Sequence, residues 1–316
     1  RVETKAKRVK IPSHLVEEAI QSAPSTVTLY GRDPRKNRVL KGSGTGFSTV
    51  GEAVQYQDPR TEAIRPSVKE DLELSTRVAD ALPEIDVIVK TVMAGDVPQH
   101  AIQVHHAQAL LTNTEKPVLA GPGNGWQAGK IIELCELIAG GKEAFRRRPF
   151  FSFIQCPVSP LRLERNLCQA ILTAARHGLV MNILSMALAG GSSPVTLAGT
   201  VVTHNAEVLG GIVLSQLACK GTPVIYGSAT TAMDLRMGAA SVGTPESSKI
   251  CSLVAQLARS YNIPSSVLGG WGSSKCSDAQ AGHEKTLNML MPALSGANLI
   301  YALGMLDAGM TFSPAQ

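Results

Sequence analysis

Several residues able to do chemistry stand where apolar runs of this chain end. The segment Gly269-Gly270-Trp271-Gly272-Ser273-Ser274-Lys275 sets one of only two tryptophans among glycines. Glycine tolerates unusual backbone angles and close approach, so the indole is carried on a loop and not inside a helix. An indole at the mouth of a pocket can hold a quaternary ammonium by cation–π attraction, which suits a cation with no proton to donate. The same indole can also simply plug a loop. Downstream, Asp278 is placed to cap a helix. Gln280 and Glu284, four residues apart, share one face of that helix. That face could point into the mouth of the site or be an ordinary solvated first turn. Gln155, Ser185 and Tyr226 each sit at the end of an apolar run; each is also acceptable as a buried, hydrogen-bonded group. The seven histidines form no H-x-x-x-H or H-E-x-x-H pattern and the six cysteines no C-x-x-C pair, so no metal site is expected. His105-His106 on a helix suits surface or packing better than ligation. No G-x-S-x-G elbow supports hydrolase chemistry.

The elements that must position these residues follow a regular beat. Apolar runs recur at 86–90, 117–120, 151–156, 181–186, 223–227, 265–270 and 299–304. Helix-like stretches lie between them, among them 68–82, 161–177, 205–217, 247–261 and 279–294. Continuous apolar runs flanked by helices indicate parallel strands covered on both faces. Neither G-x-G-x-x-G nor the P-loop pattern is present, which favours a (β/α)8 TIM-type barrel over an open nucleotide-binding sheet. In such a barrel the active site is built where strands end and loops begin. Residues 1–65 read as a small N-terminal α+β appendage, rich in short strands, and 66–316 as the barrel. Seven runs leave an eighth strand to be found, and it is expected beyond one end of the segment. The chain therefore reads as truncated at both ends, with a barrel incomplete at its C-terminus.

Composition narrows the function classes. Hydrophobic residues at 44% against 17% charged describe a packed globular chain. The net charge of +5 is spread along the sequence. Its one dense cluster, Arg146-Arg147-Arg148, ends a helix-like stretch, where the macrodipole favours cations; with no RNA- or DNA-binding signature, nucleic acid is not an expected partner. No apolar run reaches bilayer-spanning length and no signal peptide is visible, so a cytoplasmic chain without a membrane partner is expected.

Longer motifs carry a family resemblance. Gln155-Cys156-Pro157-Val158-Ser159-Pro160-Leu161, the stretches 189–200, 203–209 and 278–286, and Gly304-Met305-Leu306-Asp307-Ala308-Gly309-Met310 resemble the trimethylamine:corrinoid methyltransferase family. The likeness runs from Val9-Lys10-Ile11-Pro12 to the end and is weakest before residue 140. It implies a deep barrel cavity in which a cobalt(I) corrinoid, carried by a separate corrinoid-binding protein, accepts a methyl group from a small methylated amine. No cofactor is then bound by this chain itself. Trp271 and Glu284 become the candidate catalytic residues, and Gln155, Ser185, Tyr226, Gln280 and His283 the candidate substrate-binding ones. Gly190, Gly191, Gly269 and Gly272 would let the corrinoid partner approach. Some members carry pyrrolysine at the cavity floor, at the position of Trp271. The departure supports three readings: an enzyme for quaternary amines such as betaines, which need no imine activation; a trimethylamine enzyme in which the amber codon, one base from that of Trp, stands as Trp271; or another activity. A non-catalytic barrel that binds the corrinoid protein is a fourth, and self-association is left open.

Overall fold

A computed structural model describes residues 2–3, 8–49 and 51–316. Its centre is an eight-stranded parallel sheet. We number its strands β1 (Gly46–Thr49), β2 (Ile88–Val89), β3 (Val118–Ala120), β4 (Phe151–Gln155), β5 (Met181–Ser185), β6 (Val224–Ser228), β7 (Ser265–Leu268) and β8 (Leu299–Leu303). Neighbours in sequence are neighbours in space from β2 to β8, and β8 returns to pair in parallel with β1. A parallel bridge from Ser48 to Val87 brings β1 against β2 and closes the ring. One long helix follows each of the first seven strands: α1 (Lys69–Ala81), α2 (Ile102–Asn113), α3 (Gly125–Ala139), α4 (Arg165–His177), α5 (Leu197–Ala218), α6 (Pro245–Ser260) and α7 (Ala279–Leu294); a further short helix, Lys142–Arg147, precedes β4. The barrel expectation holds.

The eighth strand lies elsewhere than expected. Gly46–Thr49 falls within the stretch read as an appendage, so a boundary at residue 65 separates the barrel from its own first strand. The ring thus finds all eight strands among the described residues, against the expectation of an incomplete barrel. β1 escapes the pattern because Gly46-Phe47-Ser48-Thr49 is short, polar and glycine-led, while the other strands are Val-, Ile- and Leu-rich.

Side chains alternate along each strand. Val87, Val89, Leu119, Val180, Ile225 and Leu299 turn into the barrel. At its N-terminal end they meet Val27, Leu29 and Leu40 of the hairpin formed by Val27–Leu29 and Arg38–Leu40, which plugs the barrel. The opposite set, including Met181, Ile183, Val224 and Tyr226, faces the helix layer. Polar groups are also turned inward. Asn182, fully buried, reaches into the space that Gly227 leaves open: a Cβ on Gly227 would stand 2.1 Å from its Oδ1.

One helix departs from the sequence reading. α5 begins eight residues before the expected start at 205, and by length and composition it could cross a bilayer. Thr196 caps it by accepting from the Gly199 amide. It packs on β5 and β6 and between α4 and α6 as part of the barrel's outer layer.

Candidate active site at the strand C-termini

The loops after the strands build a cavity of about 500 Å³ at the end opposite the plug. It is lined by Trp271, Tyr301, Ala308, Gly309 and Met310, by Glu52, Lys90, Gln103, Gln155 and Cys156, and by Leu184 and Met186. A larger cleft of about 720 Å³ lies at the plugged end, between 31–35 and 144–148. Three of its four arginines are already engaged: Arg32 donates to the Thr114 carbonyl, Arg35 to Asp33 and Arg148 to the Gly31 carbonyl. It is also remote from the strand ends where this fold places chemistry.

Trp271 is held by an unusual piece of backbone. Asp307, Ala308 and Gly309 have φ of 49°, 50° and 92°, three left-handed residues in succession. The two without a glycine's freedom cost roughly 1–3 kcal/mol each. The turn lays Gly309 flat against the indole; a Cβ there would sit 3.0 Å from Cζ2. The loop is pinned from below by Ala308 N–H donating to the Gly272 carbonyl and Asp307 N–H to that of Ser274. The indole Nε1 is buried without a hydrogen-bond partner, and so is Oε1 of Gln155. Both residues belong to the cavity walls, as anticipated.

Glu284 does not line the cavity. Its carboxylate accepts from the backbone amides of Ser273 at 2.6 Å and Ser274 at 3.1 Å, and from the Gln280 side chain at 2.8 Å. Its direct role as a charge beside the substrate is withdrawn: those amides belong to the Trp271 loop, and the carboxylate fixes their conformation. Gly272 and Gly243 leave room for it, since a Cβ on either would come within 2.9 Å of it. Gln280 reaches only Glu284, and His283 is exposed on α7 outside the cavity. Asp278 caps α7 by accepting from Ala281 N–H, as expected.

Two further candidates face the helix layer. Tyr226 was read as a strand end, but β6 continues to Ser228 and leaves Tyr226 mid-strand on the outer face. Its hydroxyl donates to Asn205 Oδ1 of α5, and its ring packs against His204 and Tyr261. Burial pushes its phenol well above 10. Ser185 ends β5 on the same face and donates to the Glu207 carboxylate at 2.6 Å. Glu207, 2% exposed, also accepts from the Ser159 hydroxyl and the Leu161 amide, and so ties the loop after β4 to α5. The glycines assigned to partner approach serve the chain's own packing. A Cβ on Gly269 would meet Ile300, on Gly191 the Met233 sulfur, and on Gly190 it would come 3.3 Å from Leu235.

Tyr301, Lys90, Glu52 and Cys156 are among the cavity residues not chosen as candidates from the sequence. Tyr301 lies inside β8, and its hydroxyl donates to the Ser228 carbonyl. Lys90 ends β2's run, 2% exposed, and donates to Glu52 Oε1 at 2.7 Å. Glu52 follows β1, so the strand-end rule would have selected it had β1 been recognised. Cys156 turns its exposed surface to the cavity, yet enclosure by the walls, with the charges of Glu52 and Glu207, pushes its thiol up to about 12. It stays a thiol at neutral pH and is thereby a poor competitor for a methyl group.

Comparison with known proteins agrees with this architecture. A family model described as trimethylamine methyltransferase matches residues 1–316. Trimethylamine methyltransferase MttB of Desulfitobacterium hafniense is 47% identical over the whole chain, which spans 64% of that relative's length. The corresponding protein of Methanosarcina thermophila is 45% identical, with 66% of its length covered. A glycine betaine methyltransferase of D. hafniense is 31% identical over 97% of the chain and 64% of its own length. Among solved structures, the monomethylamine methyltransferase of Methanosarcina barkeri superposes with a TM-score of 0.67 at 13% identity, covering 99% of this chain and 65% of that one, a likeness of fold.

Proposed function

Because the chain belongs to the trimethylamine methyltransferase family, we propose that it moves a methyl group from a cationic methylated amine, preferentially a quaternary one, to the cobalt(I) corrinoid of a partner protein. The observation that carries this reading is the cavity itself. Two electron-rich rings, Trp271 and Tyr301, line it together with the Glu52 carboxylate, at the strand ends where barrel chemistry sits.

The transfer is a displacement at carbon by the metal, so this chain need supply neither base nor covalent nucleophile. Its residues hold the donor methyl toward the mouth and keep water away. A quaternary ammonium leaves as a neutral amine. The positive charge falls as the bond breaks, and cation–π contacts that favour the bound substrate relax for the product. The corrinoid arrives with its carrier, and no cofactor is assigned to this chain. The carrier would dock over the mouth, where Met310 is 49% exposed.

A second reading is favoured by one observation. Identity to the trimethylamine enzymes, 44–47%, exceeds the 31% to the betaine enzyme. On that reading Trp271 occupies the place of pyrrolysine and the native substrate is trimethylamine. The deciding experiment mixes the chain, a corrinoid protein and reduced cobalt with a panel of amines. Cobalt methylation, read from the absorption spectrum, is expected with quaternary ammonium donors. Methylation by trimethylamine alone favours the second reading; methylation by no amine sinks both.

A further inference from the structure

We infer that Glu52, fixed by Lys90, is the group that recognises the ammonium pole, and that the substrate is a small methylated ammonium carrying no carboxylate of its own. The inference deepens, and rests on, the reading of the cavity as an amine site.

Lys90 is the only cationic side chain among the cavity's lining residues, and it is 2% exposed. A buried ammonium needs a partner, and Glu52, which also lines the cavity, supplies it at 2.7 Å while its side chain remains 69% exposed. The pair is therefore asymmetric. Lys90 is spent on Glu52, whereas Glu52 keeps an oxygen and its lone pairs free. Its charge reaches into the cavity far enough to help raise the Cys156 thiol.

The backbone sets this carboxylate deliberately close. Gly51 donates its N–H to the Lys90 carbonyl at 2.7 Å, and a Cβ on Gly51 would collide with the Met305 sulfur and the Thr91 carbonyl. Only glycine lets the chain after β1 turn so tightly against β2 and β8. Trp271 and Tyr301 line the same cavity. A methylated cation held there meets one carboxylate and two aromatic rings, with no donor required. The carboxylate of a betaine would find no free cation among the lining side chains. To reach Lys90 it would have to displace Glu52, and meanwhile it would face the Glu52 charge.

The test is calorimetric binding of tetramethylammonium, glycine betaine and the neutral isostere 3,3-dimethylbutan-1-ol to the wild-type chain and to Glu52→Gln and Glu52→Asp. Thermal unfolding confirms that each variant is folded. Tetramethylammonium is expected to bind at least about tenfold more tightly than betaine. Glu52→Gln should weaken it about five- to tenfold, leave the neutral isostere unchanged, and improve betaine by releasing Lys90. Glu52→Asp should retain the cation preference. Betaine binding as tightly as tetramethylammonium, an unaltered tetramethylammonium affinity in Glu52→Gln, or no tetramethylammonium binding at millimolar concentration would each overturn the inference. Cobalt methylation is read separately: the expected binding order without methyl transfer supports the recognition while sinking the enzymatic reading.

Discussion

The two ends of the barrel are built on opposite terms. At the N-terminal end, Val27, Leu29 and Leu40 of the plugging hairpin are at most 1% exposed and meet only apolar side chains from the strands. At the C-terminal end the chain leaves a cavity, three left-handed residues in a row, and the Trp271 and Gln155 polar atoms without partners. The plug end is closed by apolar packing, although Arg38 Nε of the hairpin is buried without a partner; the cavity end combines unsatisfied groups with backbone strain, as sites that await a ligand do. The lesson is that stability and binding are separable here, and each can be perturbed alone.

The largest separation is expected from pH. His106 and His204, both at the cavity end, are buried, and burial pushes each down to about 3. The Ala94 amide donates to Nε2 of His106, which holds that ring neutral. Both are ordinary imidazoles near 6.5 once unfolded, so between those values the unfolded chain binds more protons. Stability is then fully present above about 6.5 and falls as the pH drops, by up to about 1.4 kcal/mol per pH unit for each histidine. Denaturant titrations from pH 7 to 4.5 check this. His106→Gln should flatten the slope, and an unchanged slope would contradict burial of the neutral ring.

Next comes the plug. Leu40→Ala should cost about 2–5 kcal/mol in unfolding free energy, with amine affinity per folded molecule unchanged. A matching loss of affinity would mean that the two ends are coupled. Smaller again is Glu284→Ala. Losing the acceptor for the Ser273 and Ser274 amides should cost about 1–3 kcal/mol. It should also loosen Trp271, seen as a shift in indole fluorescence together with weaker amine binding. Destabilisation with full affinity would make Glu284 structural only.

How far each end could be foreseen follows the same division. The seven runs at 86–90 through 299–304 each overlap an observed strand, and α7 was placed at 279–294, because their patterning is strong. The polar strand β1 gave no such signal and was identifiable only through its pairing with β8. At the cavity end the strand-end rule found Trp271 and Gln155. It erred at Tyr226 and Ser185, because a one- or two-residue error in a strand's end, or in its phase, exchanges inside for outside. Glu284 was read as a charge facing the substrate, and its carboxylate instead holds the Ser273 and Ser274 amides, since spacing reveals a shared helix face and not what that face meets. Glu52 was missed with β1, whereas Lys90 ended a recognised run and was passed over because its partner lies 38 positions away, across two strands.

Whether Trp271 binds a cationic methylated amine is decided by a single-turnover titration. The rate of cobalt methylation is followed against tetramethylammonium concentration for the wild-type chain and for Trp271→Ala. The account predicts a half-saturating concentration raised by the equivalent of about 0.5–2 kcal/mol, with the saturated rate largely retained, and a milder effect for Trp271→Phe. A wild-type chain inert with every quaternary amine, but active on trimethylamine once pyrrolysine replaces Trp271, would contradict it.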